Sequence, residues 1–167
     1  MAKFDSAEKL NLADIEITDV MTGDRDKRMF LYYQLIHSLK KAERVDIIVS
    51  FLMESGVKML LRELGNALDR GAKIRILTGN YLGITQPSAL YLIKQKLGDR
   101  VDLRFYNEKN RSFHPKSYIF HYADYSEIYI GSSNISRSAL TSGIEWNYRF
   151  RNTSDAKNYE KFFHTFE

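Results

Sequence analysis

Apolar residues recur along the chain with two different spacings, and these spacings predict its helices and strands. Apolar residues three or four positions apart are typical of helices, whereas short runs of β-branched and aromatic residues are typical of strands. Pro87 suits the first turn of a helix, and Gly98 suits the end of the same helix. The predicted helices cover 28–43, 57–70, 87–97, 136–140 and 154–166, and the predicted strands cover 45–51, 73–77, 101–106, 117–120, 128–130 and 144–150.

Strands 117–120 and 128–130 are separated by a polar turn, and this arrangement predicts an antiparallel hairpin. The apolar faces match if Phe120 lies opposite Ile128. This register also places His121 opposite Glu127, on the other face of the hairpin. Because residues two apart share a face of a strand, one set of polar residues is expected beside Phe120 and Ile128 at one end of the hairpin. The set contains Lys116 opposite Ser132, and His114 opposite Asn134.

The order of the predicted elements favours the α/β class. Strands that alternate with helices are typical of a parallel sheet with helices on both faces, to which the hairpin adds antiparallel strands. We therefore expect a mixed, largely parallel sheet in one domain that spans residues 1–167. Within this domain, residues 1–27 are predicted to form an N-terminal extension.

Composition narrows the classes of function. The 167 residues are 44% hydrophobic and carry a net charge of +4, which favours one core and an anionic partner. Cysteine is absent, so disulfides and thiolate metal sites are excluded. The four histidines show no metal-ligand spacing, and we expect neither a metal nor another cofactor. Residues 1–26 contain no apolar run of signal-peptide or membrane-span length, so we expect a cytoplasmic protein without a membrane partner.

Five residues between positions 114 and 145 could together act on a phosphate group. His114 can act as a nucleophile or proton carrier, and Lys116 supplies a fixed positive charge. Ser132 and Asn134 offer hydrogen-bond donors that suit anionic oxygens. Glu145, on the predicted strand 144–150, could hold the imidazole in one tautomer. These five residues are the predicted catalytic residues.

The same residues resemble a known family signature. His114-x-Lys116, followed by Gly131-Ser132-x-Asn134 and Glu145, is similar to the H-x-K-x4-D, G-S-x-N and downstream glutamate of the phospholipase D superfamily. His121 occupies the aspartate position of that signature. The resemblance implies a sandwich fold of that family and a metal-independent reaction through a phosphohistidine intermediate. Residues 78–82 and 85–92 also resemble the nuclease-like modules that precede some bacterial helicases.

The resemblance has a consequence for assembly, because the family chemistry uses two such histidines on one phosphodiester. This chain carries one copy of the motif. It is therefore similar to the short members that build one site across the axis of a homodimer, a symmetry that gives an isologous interface. The partners that we expect are a second copy of the chain and, in a longer parent chain, a helicase module.

Basic residues near the motif favour a nucleic acid as the substrate, and we expect an endonuclease that acts on DNA. Two alternatives remain open at this point: a phospholipid phosphodiesterase or transferase, and a catalytically idle nucleic-acid-binding module of a larger helicase or restriction protein. A lipid enzyme would be expected to show an apolar entry surface. The predicted substrate-binding residues are Lys109, Arg111, Ser133 and Arg137.

Overall fold

The computed structural model describes residues 16–25, 29–108 and 110–167, which form seven strands and five α-helices. The strands are β1 (Val20–Met21), β2 (Arg44–Val49), β3 (Lys73–Gly79), β4 (Val101–Tyr106), β5 (Lys116–His121), β6 (Ser126–Gly131) and β7 (Asn147–Arg151). The helices are α1 (Leu31–Leu39), α2 (Glu54–Asp69), α3 (Pro87–Leu97), α4 (Arg137–Thr141) and α5 (Ala156–Phe166).

All seven strands belong to one sheet in the order β1-β7-β6-β5-β2-β3-β4. The predicted α/β class is confirmed, with a mixed sheet and helices on both faces. Only β2, β3 and β4 pair in parallel, whereas the other four pairings are antiparallel. The sheet is therefore less parallel than expected, because the hairpin β5–β6 lies antiparallel beside β2, and β7 and β1 add further antiparallel strands beyond it.

The two faces of the sheet carry two separate apolar clusters. Helices α1, α2, α3 and α4 cover one face, where Val45, Ile47 and Tyr118 are almost fully buried. Helix α5 covers part of the other face, where Tyr159 packs with Ile119 and Ile128. Both faces of the central strands are therefore apolar, as is usual for strands between two helical layers.

The N-terminal part of the described chain contributes to the sheet. Residues 20–21 form β1, which pairs with β7 within the segment that was predicted to be an extension. The Met21 side chain is fully buried in the main core. Asp19 accepts hydrogen bonds at 2.8 and 2.6 Å from the Arg149 guanidinium. The remainder of the predicted extension, 1–15 and 26–27, lies outside the described residues.

None of the helices among the described residues has the length and apolar character needed to cross a membrane.

Candidate active site

The predicted catalytic residues lie at one end of the sheet, where several strands begin or end. Strand β2 ends at Val49, which pairs with Lys116 at the start of the antiparallel β5. Strands β3 and β4 run parallel to β2 and end at Gly79 and Tyr106, on the same side. Ligands of open α/β sheets commonly bind beyond the carboxyl ends of the parallel strands. We call this region the motif end of the sheet.

The hairpin is present, but its predicted register is wrong by one residue. Phe120 pairs with Glu127, and Ile119 pairs with Ile128. Phe120 therefore faces the helices α1 to α3, whereas Ile128 faces α5. The register prediction failed because helices cover both faces of the hairpin, so apolar residues occur on both faces and alternation cannot select one pairing.

The corrected register also changes the expected pairing at the motif end. The paired part of the hairpin ends at Ser117 and Ile130, so Lys116 does not pair with Ser132 and His114 does not pair with Asn134. The loop after β2 instead contacts both parts of the motif, the segment with His114 and Lys116 and the segment with Ser132 and Asn134. Ser50, which is fully buried, donates from Oγ to the carbonyl of Pro115 at 3.2 Å.

Phe51, which follows Ser50 in the loop after β2, holds the side chain of Asn134. Its Oδ1 accepts a hydrogen bond from the backbone N–H of Phe51 at 3.2 Å. Leu52 and Ile135 form a parallel bridge, and Met53 N–H donates to the carbonyl of Ile135 at 2.9 Å. The bond from Phe51 fixes which side of the amide carries the oxygen. No acceptor among the described residues bonds to the Asn134 Nδ2 group, which can therefore donate to a ligand.

His114 and Lys116, two of the predicted catalytic residues, are in direct contact. The Lys116 ammonium lies 2.8 Å from Nδ1 and 2.9 Å from Nε2 of the imidazole, and it also donates to the His114 carbonyl at 3.1 Å. The imidazole is exposed, whereas the Lys116 side chain is largely buried. The buried stem therefore fixes a positive charge beside an accessible ring.

The surroundings of His114 favour its neutral form. Desolvation lowers the pKa of His114 below its usual value of 6.5, and the positive charge of Lys116 lowers it further. Burial also lowers the pKa of Lys116, although the negative charge of Glu145 opposes that change. A neutral imidazole carries the lone pair that a nucleophile needs.

Glu145 does not occupy the position that was expected. It precedes β7 in an irregular segment, and its Oε2 accepts a hydrogen bond from Ser132 Oγ. Trp146 N–H donates to Ser132 Oγ at 3.1 Å, and Ser132 N–H donates to the Trp146 carbonyl at 3.0 Å. Within the described part of the chain, no hydrogen bond joins Glu145 to His114. Glu145 therefore contacts Ser132 and not the imidazole that it was expected to hold.

The predicted substrate-binding residues have different environments. The Ser133 side chain is fully buried, and its Oγ accepts from Asn147 Nδ2 at 2.9 Å. Its predicted contact with substrate is corrected, since the hydroxyl supports the loop from within. Arg111 and Arg137 are exposed. Lys109 lies outside the described residues.

His121 lies away from the motif end, as predicted, but its partner is not Glu127. Its Nε2 is 2.9 Å from Asp46 Oδ2, and its Nδ1 is 3.0 Å from Ser126 Oγ. Asp46 also accepts from Arg75 Nε at 2.6 Å, and Arg44 lies 2.9 Å from its carboxylate. Burial would raise the pKa of Asp46, but the hydrogen bonds from His121, Arg75 and Arg44 hold it well below its usual range.

Sequence reasoning missed the roles of two residues that follow parallel strands. Ser50 and Phe51 follow β2 and fix the two parts of the motif, as described above. Their position at the carboxyl end of a buried strand was the available signal. Sequence spacing alone does not show that they contact Pro115 and Asn134, because those contacts span more than sixty residues.

A family model matches the chain over most of its length. The model described as cardiolipin synthase, PLD-like domain, matches residues 35–166, which include all five predicted catalytic residues. No curated protein sequence matches the chain.

Solved structures with the same fold include both nuclease-named proteins of the phospholipase D family and a lipid synthase. Nuc from Salmonella typhimurium, a phospholipase D family member, is 18% identical with a TM-score of 0.61, covering 80% of this chain and 82% of that chain. NucT from Helicobacter pylori is 16% identical with a TM-score of 0.56, and the covered shares are 80% and 84%. Phosphatidylserine synthase from Haemophilus influenzae is 12% identical with a TM-score of 0.55, and the match covers 77% of this chain but 34% of that one. These likenesses concern the fold.

Proposed function

The chain belongs to the phospholipase D superfamily, and we propose that it is a metal-independent phosphodiesterase, specifically a DNA endonuclease. In this proposal His114 is the nucleophile, the reaction passes through a phosphohistidine, and two copies of the chain share one site. The observation that carries the proposal is the pairing of an exposed, preferentially neutral imidazole with the largely buried Lys116 ammonium.

The proposed first step is an in-line displacement at phosphorus. A ring nitrogen of His114 forms a bond to phosphorus with its lone pair, and the bond from phosphorus to the leaving oxygen breaks. The leaving oxygen takes a proton from the imidazolium of His114 in the second copy. Lys116 and the Asn134 Nδ2 group from both copies stabilise the charge on the equatorial oxygens.

The proposed second step hydrolyses the phosphohistidine. A water oxygen bonds to phosphorus while the bond to the His114 nitrogen breaks, and the second copy's His114 takes the proton of the water. Each histidine therefore returns to its starting state. One histidine alone would have to be the nucleophile and the acid in a single step, and this requirement is the reason for proposing a shared site.

Surface features near the motif end support the homodimer. Ile144 and Trp146, on either side of Glu145, are 86% and 73% exposed, and Tyr148 is 55% exposed. Grouped apolar residues on a surface commonly mark interfaces. A second copy seated against them would lie beside the catalytic residues, as a shared site requires.

Charge supports DNA as the substrate. The chain carries a net charge of +4, and both Arg111, in the loop before β5, and Arg137, the first residue of α4, are exposed. Exposed cations that follow a phosphate backbone supply most of the affinity for nucleic acid, largely through release of counterions. Nuc and NucT share this fold, and their names agree with a nuclease function.

A phospholipid phosphodiesterase or transferase is the second candidate. The description of the matching family model names cardiolipin synthase, and one structure with this fold is a phosphatidylserine synthase. The exposed Leu82, Ile144 and Trp146 side chains would suit acyl chains. The idle nucleic-acid-binding module, with or without a helicase module in a longer chain, is less well supported. The unusual His121 has a structural explanation in its contact with Asp46.

The deciding experiment incubates the protein with supercoiled plasmid DNA in millimolar EDTA, in parallel with vesicles that contain phosphatidylglycerol. We expect nicking of the plasmid and no headgroup release. Loss of nicking in EDTA that Mg²⁺ restores would contradict the side-chain mechanism. Turnover of the lipid alone would favour the second candidate.

The shared site has its own experiment, which combines sedimentation with mixing of chains. We expect a homodimer, and wild-type chains mixed with His114→Ala chains should give heterodimers with severely reduced activity. A monomer that retains full specific activity at the assay concentration would contradict the shared site.

A further inference from the structure

The loop between β3 and α3 carries an exposed turn with unusual backbone geometry. Residues Tyr81–Gly83 form a short 3-10 turn in which Leu82 has a φ of 52° and Gly83 has a φ of 70°. Left-handed φ values are unfavourable for leucine, and the Leu82 side chain is 77% exposed, so its own burial does not compensate. Such strain persists only where surrounding contacts hold it, and it is concentrated at functional sites.

The base of this turn is tied to the core of the motif end. Thr85 Oγ1 donates to the carbonyl of Gly79 at 2.5 Å and accepts from the N–H of Leu52 at 3.3 Å. Gln86 N–H donates to the carbonyl of Leu52 at 2.9 Å. Leu52 follows Ser50 and Phe51, which hold the two parts of the motif. The turn is therefore fixed to the same loop as the catalytic residues.

The turn places the ring of Tyr81 against the imidazole of His114. The two ring centroids are 4.3 Å apart, with an angle of 52° between the planes. The preceding residue, Phe113, stacks on Tyr106 with centroids 4.5 Å apart. A Cβ atom at Gly79 would lie 2.7 Å from the Phe113 ring, so this glycine makes room for it. Both residues before Pro115 are thus held by aromatic contacts from the ends of β3 and β4.

We propose that Tyr81 is a positioning residue for the nucleophile: its ring restricts rotation of the His114 imidazole and shields one side of that ring from water. The inference rests on the proposed function, since it assumes that His114 attacks phosphorus. Contact between the rings requires the aromatic body of Tyr81. The phenol hydroxyl has no hydrogen bond among the described residues, and phenylalanine should therefore replace tyrosine without loss.

An aromatic side chain near a phosphodiesterase site could instead stack on a nucleobase. Because a diester without a base removes stacking but keeps the chemistry at phosphorus, the two roles can be separated. Bis(4-nitrophenyl) phosphate is such a probe, and hydrolysis of this probe can be compared with nicking of plasmid DNA.

The test compares Tyr81→Ala, Tyr81→Leu and Tyr81→Phe with the wild type. Tyr91→Ala is the matched control, since Tyr91 is a 75% exposed tyrosine on α3. We expect Tyr81→Ala and Tyr81→Leu to lower kcat by about 10- to 100-fold on both substrates, with little change in KM, because misplacement by about 1 Å costs this much. Tyr81→Phe and Tyr91→Ala should retain wild-type kcat. A higher KM on DNA alone, with normal kcat on the base-free diester, would overturn the proposal.

A second measurement does not depend on activity. The pKa of His114 is followed by NMR, with its signal assigned by its absence from His114→Ala. Desolvation is the main cause of the lowered pKa, so removal of the ring in Tyr81→Ala should raise it toward 6.5. An unchanged pKa in a folded Tyr81→Ala protein would overturn the contact with His114. A raised pKa in a protein that cleaves no diester would support the contact while refuting the proposed function.

Discussion

Two histidines at opposite ends of β5 lie in contrasting surroundings. His114, at the motif end, is exposed and faces a cation, and no carboxylate of the described chain bonds to its ring. His121, at the other end, is held between Asp46 and Ser126, while Arg44 and Arg75 complete the charge balance of Asp46. We call this second group the Asp46 cluster.

The difference between the two ends separates groups that stabilise the fold from groups that remain free to act. In the Asp46 cluster every charge has an opposite charge within hydrogen-bonding distance, and such pairing is what buried charges require. At the motif end, the Lys116 ammonium and the Asn134 Nδ2 group bond to no carboxylate among the described residues. The nearby Glu145 carboxylate accepts its hydrogen bond from Ser132. Unpaired donors around a neutral imidazole are suited to an anionic ligand.

Exchanging the two histidines for alanine tests the comparison most severely. His114→Ala should lower plasmid nicking by about 10⁴-fold or more, because removal of a nucleophile leaves only binding and charge stabilisation. His121→Ala should retain activity at temperatures where it is folded. Circular dichroism must show both proteins folded. Equal losses of activity in two folded variants would remove the distinction between the two ends.

Substitutions in the Asp46 cluster should lower the stability of the fold. Asp46→Ala should lower the free energy of unfolding by about 3 kcal/mol, the lower end of the range for breaking a buried ion pair. The lower end applies because the Arg44 and Arg75 side chains are 33% and 28% exposed and can regain water. Asp102→Ala, which breaks an exposed pair with Arg104, is the control and should cost at most about 1 kcal/mol in urea unfolding. Equal costs would show that the cluster is not structural.

Removal of one donor at the motif end should lower activity without unfolding the protein. Asn134→Ala is expected to lower kcat by about 10²-fold, the usual loss when one donor to a transition-state oxygen is removed. Ser126→Ala removes a hydroxyl from the other end of the sheet and should leave kcat unchanged. A small effect of Asn134→Ala on kcat in a folded protein would mean that its Nδ2 group does not meet the phosphate.

The smallest expected effect is on the dependence of activity on pH. The nucleophile must be neutral, and the pKa of His114 is lowered by desolvation and by Lys116, so activity should fall with acid only below pH 6.5. Lys116→Met removes a positive charge that disfavours protonation of the ring, so it should move this acid limb to higher pH. A limb that moves downward in Lys116→Met would contradict the electrostatic role of the lysine.

Some elements could be predicted closely because their signals are local. Helix α3 begins at Pro87 and ends at Leu97, and it is followed by Gly98 at a φ of 64°. Pro87 and Gly98 had predicted these two ends. Strand β4 also has the predicted bounds. The predicted final strand began three residues early, at 144, because Ile144 and Trp146 fit a strand pattern. Both are exposed side chains in an irregular segment.

The sequence by itself determined the α/β class, the superfamily and the residue types of the candidate site, because periodicity and short motifs depend on neighbouring residues. Only the tertiary structure decided the hairpin register, the partner of His121, and the contacts of Ser50, Phe51 and Tyr81 with the motif. These features join residues far apart in the chain. Their geometry follows from how two helical layers pack on one sheet, which no local pattern encodes.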